Sequence, residues 1–215
     1  MLSSPCPPRG VVILDRDGTL IDVVRDEETG TVLTAFHPKH VRLLPSVIQG
    51  LTMLIDAGYA LAIATNQPGP AKGHFSPQAV HQTNQELVNQ LAGYGVPIAA
   101  VEACMHHPEG AAGGDLSLLG ACPCRKPMPG MLLRILSRLG ADAAQSWMVG
   151  DSTSDIKAGT AAGVSTALLL NPDRCELCPL RKATDSTIAP TITAKNVADL
   201  AVQIVALRDF VVSDN

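Results

Sequence analysis

The chain has 215 residues, is 46% hydrophobic and carries 16 Lys/Arg against 20 Asp/Glu, a formal net charge of -4. That length and apolar content suffice for one well-buried domain across 1–215, and a chain with no Lys/Arg run beyond two residues lacks the footprint of a nucleic-acid binder. No apolar stretch nears the roughly 20 residues that cross a bilayer, and prolines fill the opening MLSSPCPPRG where a signal peptide would be apolar; the expectation is a cytoplasmic monomer with no nucleic-acid or membrane partner.

After a short tail (1–10), brief apolar runs alternate with longer segments of helical period. That alternation predicts an α/β fold with a parallel sheet and helices on both faces. Strands are predicted at 11–14 (VVIL), 59–65 (YALAIAT), 98–103 (IAAVEA), 146–149 (SWMV) and 164–170 (VSTALLL). Helices are predicted at 45–57, 77–91, 129–139, 153–162 and 197–207. Pro45, Pro77 and Pro129 suit first helical turns, and Gly58, Gly93, Gly140 and Gly163 fall where helices should end. Two long connections, 21–44 and 104–128, are where function is expected in such a fold. The first is read as a flap with a turn at Glu28-Thr29-Gly30, and neither is large enough for a separate cap domain. A third irregular stretch covers 171–190.

The first strand runs into Asp15-Arg16-Asp17-Gly18-Thr19. Extended geometry would put Asp15 and Asp17 on one side and Arg16 on the other, with the carboxylates at the ligand-binding end of a parallel sheet. Two acids in one small volume need a cation, and hard oxygen ligands favour Mg²⁺. The fourth strand ends in Gly150-Asp151, and the second in Thr65-Asn66-Gln67, whose hydroxyl and amides suit phosphate oxygens. With Lys126 as a fixed positive charge, the set provides what phosphoryl transfer needs: nucleophile, proton donor, metal, hydroxyl and cation. Asp155 fits two readings equally, a capping box with Ser152 and a place near the metal.

Six cysteines in a chain this long fit metal ligation better than a disulfide framework. Cys104, His106, Cys122 and Cys124 form a Cys₃His set suited to a closed, structural Zn²⁺ site. His107 competes for the fourth place, and unligated thiols are the simpler alternative. Cys175 and Cys178 are read first as free thiols, then as an oxidisable pair, and last as half of a second metal site with Cys6.

The four motifs, Asp15-Arg16-Asp17-Gly18-Thr19, Thr65, Lys126 and Gly150-Asp151 with Asp155, resemble in order those of the haloacid dehalogenase superfamily of phosphatases, over about 11–170. The resemblance implies a Rossmann-like three-layer sandwich, an aspartyl phosphate on Asp15, and Asp17 as general acid and base. It also implies Mg²⁺ held by Asp15, Asp151 and the Asp17 carbonyl, with Thr65 and Lys126 on the transferring phosphoryl group. The CMH and CPC pairs followed by RKPMPGML are similar to the branch of heptose bisphosphate and histidinol-phosphate phosphatases, which carry a zinc-bound loop at this point. There Arg125 would join Lys126, Asn66 and Gln67 in substrate binding. The strings at 67–73 (QPGPAKG) and 107–110 (HPEG) favour the heptose members, hence a small phosphorylated sugar as substrate. Histidinol phosphate or another small phosphomonoester is the alternative. A non-catalytic, zinc-stabilised phosphate-binding domain is disfavoured by the presence of both Asp15 and Asp17. Ser152 departs from the lysine that heptose members often carry, so Arg25, Lys39, Lys72 and Lys157 are candidates for meeting the second phosphate.

Overall fold

The computed structural model describes residues 10–25, 28, 31–171 and 189–213. Cys6, Cys175, Cys178 and the Thr29-Gly30 part of the expected flap turn lie outside the described residues. The elements run β1 (Val11–Leu14), β2 (Val24–Arg25), β3 (Val32–Leu33), α1 (Val47–Asp56), β4 (Ala60–Asn66), α2 (Pro77–Gly93), β5 (Ala100–Cys104), α3 (Gly130–Leu139), β6 (Trp147–Gly150), α4 (Thr153–Ala162), β7 (Ser165–Leu169), β8 (Ile192–Ala194) and α5 (Val197–Ser213). Among the described residues no helix is long and apolar enough to cross a membrane.

Six parallel strands form one sheet in the order β5-β4-β1-β6-β7-β8. β1 sits inside it, and its four apolar residues are all fully buried. Because side chains alternate along a strand, Val12 and Leu14 enter one core, with Leu51 of α1, Leu87 and Leu91 of α2 and Leu200 of α5. Val11 and Ile13 enter the other, with Met131, Leu132 and Ile135 of α3 and Ala158 of α4. A strand covered on both faces reads as a continuous apolar run, which is why VVIL shows no polar alternation. The result is the expected three-layer sandwich.

The expected strands and helices all form, with shifted ends. Pro77 takes the first turn of α2 behind the Ser76 cap, and Gly140 and Gly163 close α3 and α4 in the left-handed region. Gly93, in contrast, is the last residue of α2, and the turn beyond it falls to Gly95. Pro45 lies outside α1, because Ser46 interrupts the chain at φ 66° before the helix begins. Three strands escape the periodicity reading. β8 is a three-residue edge strand, and β2 with β3 makes a two-residue antiparallel hairpin in the flap. The flap base is fastened by backbone bonds from Asp22 to Arg42 and from Leu44 to Leu20.

α1 and α5 pack closely, since a Cβ at Gly50 would lie 2.5 Å from the Val197 carbonyl oxygen. Gly50→Ala should therefore push the helices apart and cost about 1–3 kcal/mol. Ser46→Gly, four residues earlier, relieves a left-handed conformation that L side chains resist and should gain about 0.5–1 kcal/mol. Urea unfolding of both variants should move the midpoint in opposite directions.

Candidate active site

Parallel strands bring their carboxyl ends to one rim. Asp15 follows β1 there and is tied across to β6, its N–H donating to the Val149 carbonyl at 2.8 Å. Thr65 and Asn66 end β4, Asp151 follows β6, and Asp155 lies in the first turn of α4. One carboxylate oxygen each from Asp15, Asp151 and Asp155 falls within 4.8 Å of the others.

Lys126 enters this group from the thiol loop and is 3% exposed. Its ammonium reaches Asp15 Oδ1 at 2.8 Å and Asp155 Oδ1 at 2.6 Å. It donates also to the Ala64 carbonyl at 2.7 Å, so three protons meet three acceptors. Burial alone would lower the lysine, but Asp15 and Asp155 outweigh it and hold the ammonium above its ordinary range. Burial pushes the Asp15 carboxyl up to about 6, Lys126 pulls against it, and Asp155 and Asp17 add to the rise. Asp151 is pushed up to about 8 by burial and by the charges of Asp15 and Asp155. Three carboxyl groups thus share one ammonium, and at neutral pH Asp15 remains ionised beside Lys126. Asp155 takes the capping-box reading, Oδ2 accepting from the Ser152 N–H and Oγ, while Oδ1 meets Lys126 within the carboxylate group of Asp15 and Asp151.

Gly18 has φ +82°, and a Cβ there would lie 2.1 Å from Asp151 Oδ2. The glycine of the first motif therefore supplies both the turn and the room for the second carboxylate.

Asp17 occupies different surroundings from Asp15. Arg16, expected on the opposite side, is fully buried and curls back, with Nε 3.0 Å from Asp17 Oδ2 and Nη2 3.2 Å from Oδ1. Strand alternation fixes where a side chain starts, and a long guanidinium returns to the nearest carboxylate. The far side of Arg16 is held by Asn84 of α2 at 2.7 Å. The flap supplies Thr34 Oγ1, 2.8 Å from Asp17 Oδ2, and the Ala35 N–H, 2.9 Å from Oδ1. Neither flap residue carries a sequence signal beyond lying in a long connection.

The amides of Asn66 and Gln67 turn inward, unlike the phosphate-facing placement expected of them. Asn66 accepts from the Lys126 N–H and donates to the Lys126 carbonyl, both at 3.0 Å, gripping the backbone that carries the ammonium. Gln67 is fully buried and donates to Asp17 Oδ2 at 2.7 Å and Thr65 Oγ1 at 2.8 Å. An amide beside the right strand end takes whichever partner lies nearer, and here Asp17 and Lys126 are 50 and 60 residues away in sequence.

Cys104 ends β5 and faces Cys122 and Cys124, with Sγ separations of 3.1–3.5 Å. His106 joins them through Nδ1, 3.5 Å from Cys124 and 3.7 Å from Cys104. His107 does not compete: its Nδ1 accepts from the Glu109 and Gly110 N–H groups. Burial raises the Cys104 and Cys124 thiols above their ordinary range, whereas donors from Cys124 and the Arg125 N–H outweigh burial at Cys122 and lower it. The loop between the pairs folds back on 68–73, Asp115 donating its N–H to the Pro70 carbonyl. Arg125 is half-buried, its guanidinium 3.3 Å from the His106 carbonyl.

Residues 123–200 match the family model described as HAD-hydrolase-like. A D-glycero-beta-D-manno-heptose-1,7-bisphosphate 7-phosphatase of Haemophilus ducreyi is 38% identical over 160 residues, 74% of this chain and 81% of that protein. The enzyme of the same description from Photorhabdus laumondii is 31% identical over 197 residues, 92% of this chain and 96% of the relative. Among solved structures, D,D-heptose 1,7-bisphosphate phosphatase from B. bronchiseptica, complexed with magnesium and phosphate, superimposes with a TM-score of 0.71 at 28% identity, covering 93% of this chain and 99% of that one. With strand-end carboxylates in the order the motifs require and relatives of this identity over nearly their whole length, the chain belongs to the haloacid dehalogenase-like phosphatases, a family of phosphomonoester hydrolases.

Proposed function

We propose that the chain removes one phosphate, at C7, from a heptose 1,7-bisphosphate, with Asp15 as nucleophile. The observation that carries this reading is the placement of Asp15 and Asp17, two residues apart yet in opposite settings. Asp15 sits against Lys126 among acids, while Asp17 is separately held by donors from Arg16, the flap and Gln67. A nucleophile must be ionised and a proton donor must be a separate group within reach. In the first step an Asp15 oxygen bonds to phosphorus as the bond to the sugar oxygen breaks, and the Asp17 proton passes to that oxygen. In the second, water attacks phosphorus and gives a proton back to Asp17, while the bond to Asp15 breaks and phosphate leaves. Lys126 offsets charge on Asp15 and on the phosphoryl oxygens, Thr65 supplies a hydroxyl to them, and Arg125 recognises the substrate beside it. Asn66 and Gln67 act behind these groups, on Lys126 and Asp17.

The carboxylate cluster fits Mg²⁺, because its donors are hard oxygens and one ammonium leaves its negative charge unbalanced. Asp15, Asp151 and the Asp17 carbonyl would hold the ion, which when bound supplies the positive charge that the phosphoryl transfer needs. Cys104, His106, Cys122 and Cys124 fit a structural Zn²⁺, with four soft or borderline ligand atoms converging and no place left for water.

The direct test is phosphate release with Mg²⁺ from both anomers of the heptose bisphosphate and from histidinol phosphate. The bisphosphate should be preferred by at least about tenfold in kcat/KM, a discrimination of roughly 1.4 kcal/mol; a preference for histidinol phosphate would remove the sugar assignment. Asp151→Asn relieves crowding among the acids, so it should raise the Tm of the metal-free protein at pH 8 by about 2–4 °C. The same change should abolish turnover and the further Tm rise that Mg²⁺ gives the wild type. Cys124→Ser should lose one equivalent of zinc by atomic emission, and Tm and turnover should fall together; full activity without zinc would separate the loop from catalysis.

A further inference from the structure

Two of the segments that hold the Asp17 carboxylate meet a second time, through a pair of aromatic rings. Thr34 and Ala35 bond Asp17 from the flap, and Gln67 bonds it from beyond the end of β4. Phe36 follows Ala35 directly, and Phe75 lies at the far end of the loop that begins at Gln67. The two rings stack with centroids 5.4 Å apart and planes 11° from parallel. The His40 ring meets Phe36 edge-on at 4.6 Å. Stacked and edge-on pairs at these separations are the arrangements that ring quadrupoles favour.

The Phe75 side of the stack is built on a fixed base. A Cβ at Gly69 would run into the Phe75 ring, so bare backbone forms the floor on which that ring lies. The His74 N–H donates to the Gly69 carbonyl, and the Asp115 N–H of the thiol loop donates to the Pro70 carbonyl. Ser76, next to Phe75, caps α2. The Phe36 side depends on a longer reach, since the backbone ties of the flap base join Asp22 to Arg42 and Leu44 to Leu20. Hydrogen bonds at a sheet rim exchange with water at little net gain, whereas stacked rings remove apolar surface from water whatever their direction. The contacts form a circuit: from Asp17 through Ala35 to Phe36, across to Phe75, and over Gly69 and Gln67 back to Asp17.

We propose that the Phe36–Phe75 stack staples residues 34–36 onto Asp17 before any substrate arrives, which makes both phenylalanines positioning residues for that carboxylate. They act through the Thr34 hydroxyl and the Ala35 N–H. The effect on turnover rests on the phosphatase reading above; the effect on the flap rests on the ring geometry.

Both rings are half-buried, so leucine at either position removes the ring face without opening a cavity in the core. Tyrosine at Phe75 keeps the face. The test is amide hydrogen exchange, followed by NMR in the substrate-free protein at Ala35, whose N–H bonds Asp17, and at Leu14, fully buried inside the sheet. Phe36→Leu and Phe75→Leu should each speed exchange at Ala35 by about tenfold relative to Leu14, the combined effect of an aromatic pair and the area it covers. The double variant should exceed either single one by less than about threefold, because all three lose the same link. Phe75→Tyr should stay within about threefold of wild type. With the heptose bisphosphate and Mg²⁺, kcat/KM should fall by about twofold to tenfold in the leucine variants, the effect of a slightly displaced catalytic group, and return with tyrosine. Exchange at Ala35 that does not change relative to Leu14, additive effects in the double variant, no recovery with tyrosine, or a turnover change below about twofold would each overturn the inference. A wild type that releases no phosphate would sink the phosphatase reading, while faster and non-additive exchange at Ala35 would still establish the staple.

Discussion

A buried ammonium is the constraint around which this molecule is arranged. Lys126 comes from a loop, yet its charge lies under the sheet rim, bonded to Asp15, Asp155 and the Ala64 carbonyl. Taking such a charge out of water costs several kcal/mol unless partners are held for it. The fold holds them on three elements: the end of β1, the body of β4 and the first turn of α4. Each partner is itself fixed, Asp15 by the Val149 carbonyl across the sheet and Asp155 by its capping box. The lysine in turn is kept in place by the Asn66 amide on its backbone. The acids are then left with more negative charge than one lysine can balance. That deficit is a local instability which the two apolar cores, not the site, make tolerable.

Two long connections complete the site, one reaching Asp15 and the other Asp17. The thiol loop carries Lys126 two residues after Cys124, so whatever anchors the thiols also limits the freedom of the lysine. The flap carries Thr34 and Ala35 onto Asp17. Its base is tied to the strand-end segment through Leu20 and Asp22, so flap and first motif move as one piece near the site. Asp15 and Asp17, two residues apart in sequence, therefore depend on different loops.

What could be read from the sequence divides along the same line. Asp15, Asp17 and Asp151 were legible because their meaning is local: an acid directly after an apolar strand lies at the sheet rim whatever else the chain does. The five strands and five helices were legible from period alone, and β8 was not, since three residues at an edge carry no period. The thiol set was legible as a set, but choosing His106 over His107 required the backbone of 107–110, which claims the second imidazole. Asn66 and Gln67 were placed at the right strand end and given the wrong partners. Which way an amide faces is decided by groups distant in sequence, and no spacing encodes it. Thr34 and Arg16 escaped for the same reason: a threonine in an irregular flap has no pattern, and alternation says nothing about where a long side chain ends.

The difference between Asp15 and Asp17 is then a matter of neighbours, not of residue type. Burial raises the Asp15 carboxyl toward about 6, and Lys126 beside it pulls the other way. Asp17 sees no lysine; it sees a guanidinium, a peptide N–H, an amide and a hydroxyl. Its donors come from the residue beside it, from the flap and from the end of β4, so three segments hold one carboxylate in one orientation. Thr34 Oγ1 also lies 2.9 Å from Gln67 Oε1, so the flap hydroxyl and the buried amide fix one another as well as the carboxylate between them.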